Sequence, residues 1–170
     1  MGKVQKAFSN GQPGAISRSV DDIVISVKNA SEEDVPFGAP VFLGENGAEP
    51  FSTENPQEFS AFLGFAVRVP DKTPDAYPEG QFNDGSAEGE AGKWKAGDVM
   101  EVLVRGSVAI PLTAAGSPGG SVYIRKSDGK LTASAGSSGT SVLLENVKIR
   151  RPRDSSSNCC EAVVNKRNII

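Results

Sequence analysis

The chain has 170 residues, enough for one domain with a sizeable core, and no histidine, which excludes histidine general bases, histidine triads and most zinc or iron centres. Hydrophobic residues make up 38% and charged residues 23%, the ordinary balance of a soluble globular protein. Net charge is −3 but uneven: residues 45–101 hold twelve acidic and four basic side chains, residues 102–170 ten basic and four acidic. That asymmetry reads either as an unevenly solvated surface or as an acidic part of one copy attracting the basic part of another.

Residues 1–22 hold few large apolar side chains and carry Asn10-Gly11-Gln12-Pro13-Gly14, which predicts an extended N-terminal arm. Residues 23–170 follow as a single β-rich domain. Residues 23–28 (IVISVK) form the first predicted strand, and residues 36–43 (PFGAPVFL) the next, with Pro40 at its edge or start. Residues 44–58 contain four glutamates, no basic residue, two glycines and two prolines, and read as a loop with room for a short strand near Phe51. Residues 59–69 (FSAFLGFAVRV) alternate with period two and predict a central strand; a short helical turn is the competing reading around residues 55–62, with Asn55 as cap and Pro56 at the first position.

Residues 70–97 carry three prolines and six acidic side chains, a long acidic loop or insertion. Such a length needs short strands within it or a neighbouring subunit to order it, and Trp94 is its natural anchor to the core. From Asp98 the strands sharpen: residues 99–105 (VMEVLVR), a bulge or bend at Gly106, then residues 107–112 (SVAIPL). Residues 121–126 and 130–135 flank Ser127-Asp128-Gly129, and Asp-Gly between two strands predicts a type I′ hairpin turn. Residues 140–151 form a bent strand or strand pair, and residues 161–169 the last strand. The fold class read from this pattern is all-β: a small barrel or sandwich of roughly eight to ten short antiparallel strands behind an extended arm.

The residues supply few parts for catalysis. No serine sits in a Gly-x-Ser-x-Gly elbow, and Cys159 and Cys160, the only cysteines, lack an activator; as sequence neighbours they do not pair, and they read as small buried or half-buried residues. Asn83-Asp84-Gly85 resembles part of a calcium loop, but the flanking ligand spacing does not match, and no metal or cofactor is expected. Gly116-Ser117-Pro118-Gly119-Gly120 lacks the lysine and hydroxyl residue of a phosphate loop. Lys148, Arg150, Arg151 and Arg153 form a basic cluster. Strand alternation would split it between two faces, and Tyr123 is the single aromatic residue of the basic segment, so nucleic acid is not the expected partner; acidic side chains of another subunit are. The first residues lack the apolar run of a secretion signal and no stretch reaches about 18 apolar residues, so no membrane partner is expected.

Several local patterns share one likeness. Gly11-Gln12-Pro13-Gly14 followed by Arg18, then Pro36-Phe37-Gly38-Ala39-Pro40-Val41, then Gly97-Asp98-Val99 through Gly106-Ser107-Val108, Val122-Tyr123 and Gly129-Lys130-Leu131-Thr132, resemble the head-decoration or structural cement proteins of tailed bacteriophages. The resemblance implies a virion protein, made in the host bacterial cytoplasm, that binds the outer surface of an expanded capsid. It implies the major capsid protein as partner, a homotrimer, and reinforcement of contacts between capsid subunits. On that footing the arm is the candidate capsid contact, through Val4, Phe8, Pro13, Gly14 and Ile16, with Arg18 paired to an acid. Lys148, Arg150, Arg151 and Arg153 are the candidate subunit contact. The competing readings are a tail or head-fibre component and a soluble carbohydrate-binding or adhesin module; the latter class displays Trp and Tyr platforms, and here there are one Trp and two Tyr.

Overall fold

In a computed structural model, residues 10–69, 92–154 and 157–168 are described, the side chains of residues 19 and 20 excepted. In chain order the strands are β1 (Ile16–Lys28), β2 (Val35–Pro36), β3 (Pro40–Leu43), β4 (Ala48–Pro50), β5 (Phe62–Ala66), β6 (Lys93–Trp94), β7 (Val99–Pro111), β8 (Ser121–Arg125), β9 (Leu131–Thr132), β10 (Ser141–Arg151) and β11 (Cys159–Val164). One short 3₁₀ turn, Phe59–Ala61, precedes β5.

Nine strands make one antiparallel sheet in the order β4-β3-β5-β7-β11-β10-β8-β9, with β1 added to β7 off this path; β2 and β6 pair separately. The thirteen-residue β7 is the axis. Its first half pairs with β5 (Phe65↔Leu103) and its second half with β11 (Glu161↔Ala109), while β1 runs along it from Lys28↔Val99 to Ile16↔Val108. The sheet curls, so that Phe51, just beyond β4, approaches Gly129 at the β8–β9 turn. The end strands β4 and β9 nevertheless share no ladder among the described residues. The architecture is therefore all-β, as expected, in the form of a curled, open half-barrel whose nine-stranded antiparallel sheet has a core on each side.

The two cores follow from bulges. One gathers Phe42, Phe62, Phe65, Leu103, Val108, Ile110, Ile124, Leu144 and Ile149; the other holds Phe37, Val41, Leu63, Trp94, Met100, Val102 and Val104. Along β7 the even-numbered Met100, Val102 and Val104 face the second core, whereas Val108 and Ile110 face the first. The change of face falls at Gly106, whose φ of 122° is closed to most side chains, and Asp22 packs against it where a Cβ would stand. In β5 the predicted alternation is broken in the same way. Val41 pairs with Gly64 but Phe42 pairs with Phe62, so Leu63 is an extra residue and Phe62 joins Phe65 on one face.

Trp94 anchors the C-terminal end of the acidic stretch: it is 4% exposed, its Nε1–H donates to the Val67 carbonyl at 3.0 Å, and its ring meets Phe37 edge-on. Residues 70–91, with the Asn83-Asp84-Gly85 motif, lie outside the described residues. The β8–β9 hairpin corrects one expectation. Arg125 N–H donates to the Lys130 carbonyl at 3.0 Å, enclosing a four-residue loop in which Gly129 (φ 67°) has positive φ and Asp128 does not, so the turn is not type I′. The helical turn falls at Phe59–Ala61 rather than at Pro56. The first strand starts at Ile16, not at residue 23, with register shifts between Ile16 and Val24 that a period-two reading does not detect.

Candidate functional site

The segment before and at the start of β1 forms a strap across the middle of the sheet. Asn10 is pinned first: its backbone N–H donates to Asp154 Oδ2 at 2.5 Å, and its side-chain amide donates to the carbonyls of Pro152 and Cys159 at 2.8 and 2.9 Å. Gly14 is wedged between two stretches of backbone. Its N–H donates to the Ala109 carbonyl at 2.8 Å, and its own carbonyl accepts from Arg68 N–H at 2.9 Å. With φ at 76°, a Cβ there would lie 2.8 Å from the Ala66 oxygen and 2.9 Å from the nitrogens of Arg68 and Gly38, so only glycine fits. Ile16 pairs with Val108 and is 37% exposed. Of the arm residues singled out above, Gly14, Ile16 and Arg18 are thus built into the chain's own sheet, Pro13 sits half-buried beside them, and Val4 and Phe8 lie outside the described residues.

Arg18 meets its acid within the same chain. Its Nε donates to Glu161 Oε1 at 2.9 Å, Ser17 Oγ donates to the same oxygen at 3.1 Å, and Arg151 Nε lies 3.3 Å from Glu161 Oε2. The Glu161 side chain is 4% exposed, the two arginines 48% and 53%. One buried carboxylate thereby joins β1, β10 and β11. Its signal in the sequence was faint: a lone glutamate in the otherwise apolar run CCEAVV of β11.

A bulge reassembles most of the basic cluster. Ile149 pairs with Ala162 and Arg151 with Glu161, so Arg150 is one residue too many and Arg151 turns to the side that Glu161 occupies. The expected division, with Arg151 opposite Lys148 and Arg150, does not hold for that reason. Lys148 Nζ donates to Ser121 Oγ at 2.9 Å and Arg150 Nη1 to Ser107 Oγ at 3.4 Å. Neither cation has a carboxylate partner among the described residues. Arg153 stands apart on the following loop, where it bonds Asn158 Oδ1 and its backbone N–H donates to the Ala115 carbonyl at 2.9 Å. The result is a cationic sheet face of Arg18, Lys148, Arg150 and Arg151 around one buried anion.

No group of three or more acids and cysteines suited to a metal occurs among the described residues. Cys159 and Cys160 are free and buried, and burial pushes their thiols up to about 11 and about 12. Such thiols are protonated at neutral pH and make poor nucleophiles. A cavity of about 630 Å³ is lined by Arg125, Lys126, Thr132, Ser134 and Thr140, and Arg125 is engaged there by Asp128 at 2.5 Å.

The chain belongs to the structural cement protein family (E217 gp24/Pam3 gp6), whose family model matches residues 2–164. It is a phage virion structural protein associated with the capsid. A chain of the solved capsid of Myoviridae Phage XM1 shares the fold, with a TM-score of 0.68 at 16% identity over 97% of this chain and 96% of that one. No curated protein sequence matches the chain.

Proposed function

We propose that the protein binds the outer surface of the capsid as a homotrimer and reinforces contacts between major capsid subunits. Family membership over residues 2–164 is the observation that carries this reading. The fold supports it physically. Strand β1 makes its ladder with β7 alone, so its other edge has no partner strand among the described residues, and Ile23 and Val24 on it are 40% and 38% exposed. A free, aliphatic strand edge suits strand addition to or from a neighbouring subunit, in which main-chain hydrogen bonds supply affinity. Repetition over a closed shell turns many weak contacts into large avidity.

Within this reading Val4 and Phe8 reach the capsid subunit, Ile16 extends that contact, and Pro13 and Gly14 fix the direction in which the chain leaves the strap. Lys148, Arg150 and Arg151 face a neighbouring copy, with Arg153 at the border. The test is re-addition of purified protein to particles that lack it. Saturable binding, with retention of packaged DNA to higher temperature, is expected; a chain without residues 2–9 should stay folded and bind at least tenfold more weakly, the loss of about 1.4 kcal/mol or more. Full-strength binding by the shortened chain contradicts the arm contact, and no binding by the intact chain contradicts the function.

A further inference from the structure

The cationic face has a counterpart at the other end of β7. Asn29, fully buried, donates its side-chain amide to the carbonyls of Glu33 and Lys95 at 2.8 and 3.1 Å, and its Oδ1 accepts from Ser31 Oγ at 2.8 Å. Its backbone N–H donates to the Asp98 carbonyl at 2.8 Å, which fixes the loop at the start of β7. The loop therefore holds Glu32 and Glu33 out on a braced support. Both are exposed, and neither has a cation partner among the described residues, whereas the next acid, Asp34, is engaged by Lys93 at 3.0 Å. Ser107, which Arg150 reaches, lies nine residues along β7 from Asp98, roughly 30 Å of strand. The unmatched anions and the unmatched cations thus sit far apart on one molecule and cannot neutralise each other within it.

We propose that the face carrying Lys148 and Arg150 receives the Glu32–Glu33 loop of a second copy, so that copies associate head to tail. The inference rests on the trimer reading above and names the surfaces that would build it. Two different patches meeting on successive copies make a heterologous contact, and such contacts close into rings when the rotation permits. Arg18 and Arg151 share a single carboxylate, so the receiving face keeps a positive excess even where it is already paired. The partner is a second copy because this chain itself presents the complement: Glu32 and Glu33 are exposed and without a cation among the described residues, and they match the two cations, Lys148 and Arg150, that hold only serine hydroxyls. The serine hydroxyls that hold Lys148 and Arg150 are uncharged and yield to a carboxylate at little cost.

The experiment is sedimentation equilibrium of the full chain at about 50 mM and about 500 mM salt, where screening lengths differ about threefold. Three variants are compared with the wild type: Glu32→Lys with Glu33→Lys, Lys148→Glu with Arg150→Glu, and all four together. All four positions are at least partly exposed, and circular dichroism confirms that each variant folds. Expected is a trimer that weakens at high salt, at least tenfold weaker association in each pairwise reversal, and recovery in the fourfold variant, where the charges face each other again. A trimer indifferent to both reversals overturns the head-to-tail contact and leaves the trimer reading standing. A chain that stays monomeric at every concentration and salt overturns both. Reversals that spare the trimer but abolish particle binding place the cationic face against the shell, and the inference fails.

Discussion

At the scale of single residues, Glu161 shows how burial decides which half of an ion pair matters. Its carboxylate is out of water while Arg18 and Arg151 are about half exposed. Removing both arginines strands a buried charge; replacing the carboxylate by an amide leaves two arginines that water can solvate. Arg18→Ala with Arg151→Ala is therefore expected to cost about 3 kcal/mol, and Glu161→Gln only about 1 kcal/mol, in urea unfolding. Equal losses would contradict the asymmetry. The buried thiols give a second expectation. Burial raises the folded values of Cys159 and Cys160 from an ordinary 9.0 to about 11 and about 12. Above pH 9 the unfolded chain loses thiol protons that the folded chain keeps, so stability is intact below pH 9 and falls as pH climbs through the window up to about 11–12. The slope is about 1.4 kcal/mol per pH unit for each thiol. A Cys159→Ala, Cys160→Ala double variant should flatten this alkaline limb in denaturant titrations at successive pH values, and an unchanged limb would refute the assignment.

At the scale of elements, the strap and the bulges divide what was legible from what was not. Residues 10–18 look like a free arm in sequence because they are short of large apolar side chains, yet Gly14 and its neighbours hold the sheet through backbone hydrogen bonds, which leave no hydropathy signal. Truncation should separate the two parts. Removing residues 2–9 is expected to leave the melting temperature within about 3 °C, whereas removing residues 2–18 strips the Gly14 wedge and the Arg18 pair and lowers it by about 10 °C or more, as calorimetry would show. Where period two ran unbroken, as in residues 23–28 and 121–125, strands and buried faces were readable. Where one extra residue entered, at Leu63, Gly106 or Arg150, every later side chain changed face, and no local composition marks such a residue unless it is glycine. That is why the strands at residues 23–28 and 121–125 are legible in the sequence while the sharing of one face by Arg151 and Lys148 is not. Bulges also bend and twist the strands that carry them, so a barrel and an open half-barrel look alike in a period-two reading of the sequence.

At the scale of the whole molecule, one curled sheet carries a hydrophobic core on each side. Its surface carries a β1 edge without a partner strand among the described residues, a cationic face over β10 and β11, and a braced acidic loop at the start of β7. A protein repeated over a shell gains from such surfaces because each needs to hold only weakly. The most direct test of a capsid-surface role is fractionation of the phage lysate on a density gradient, with the copy number of this chain measured against the major capsid protein. Co-sedimentation with filled particles at near one copy per capsid subunit is the expected result. A few copies per particle would indicate a tail or fibre part instead, and absence from every particle fraction would contradict the capsid role outright.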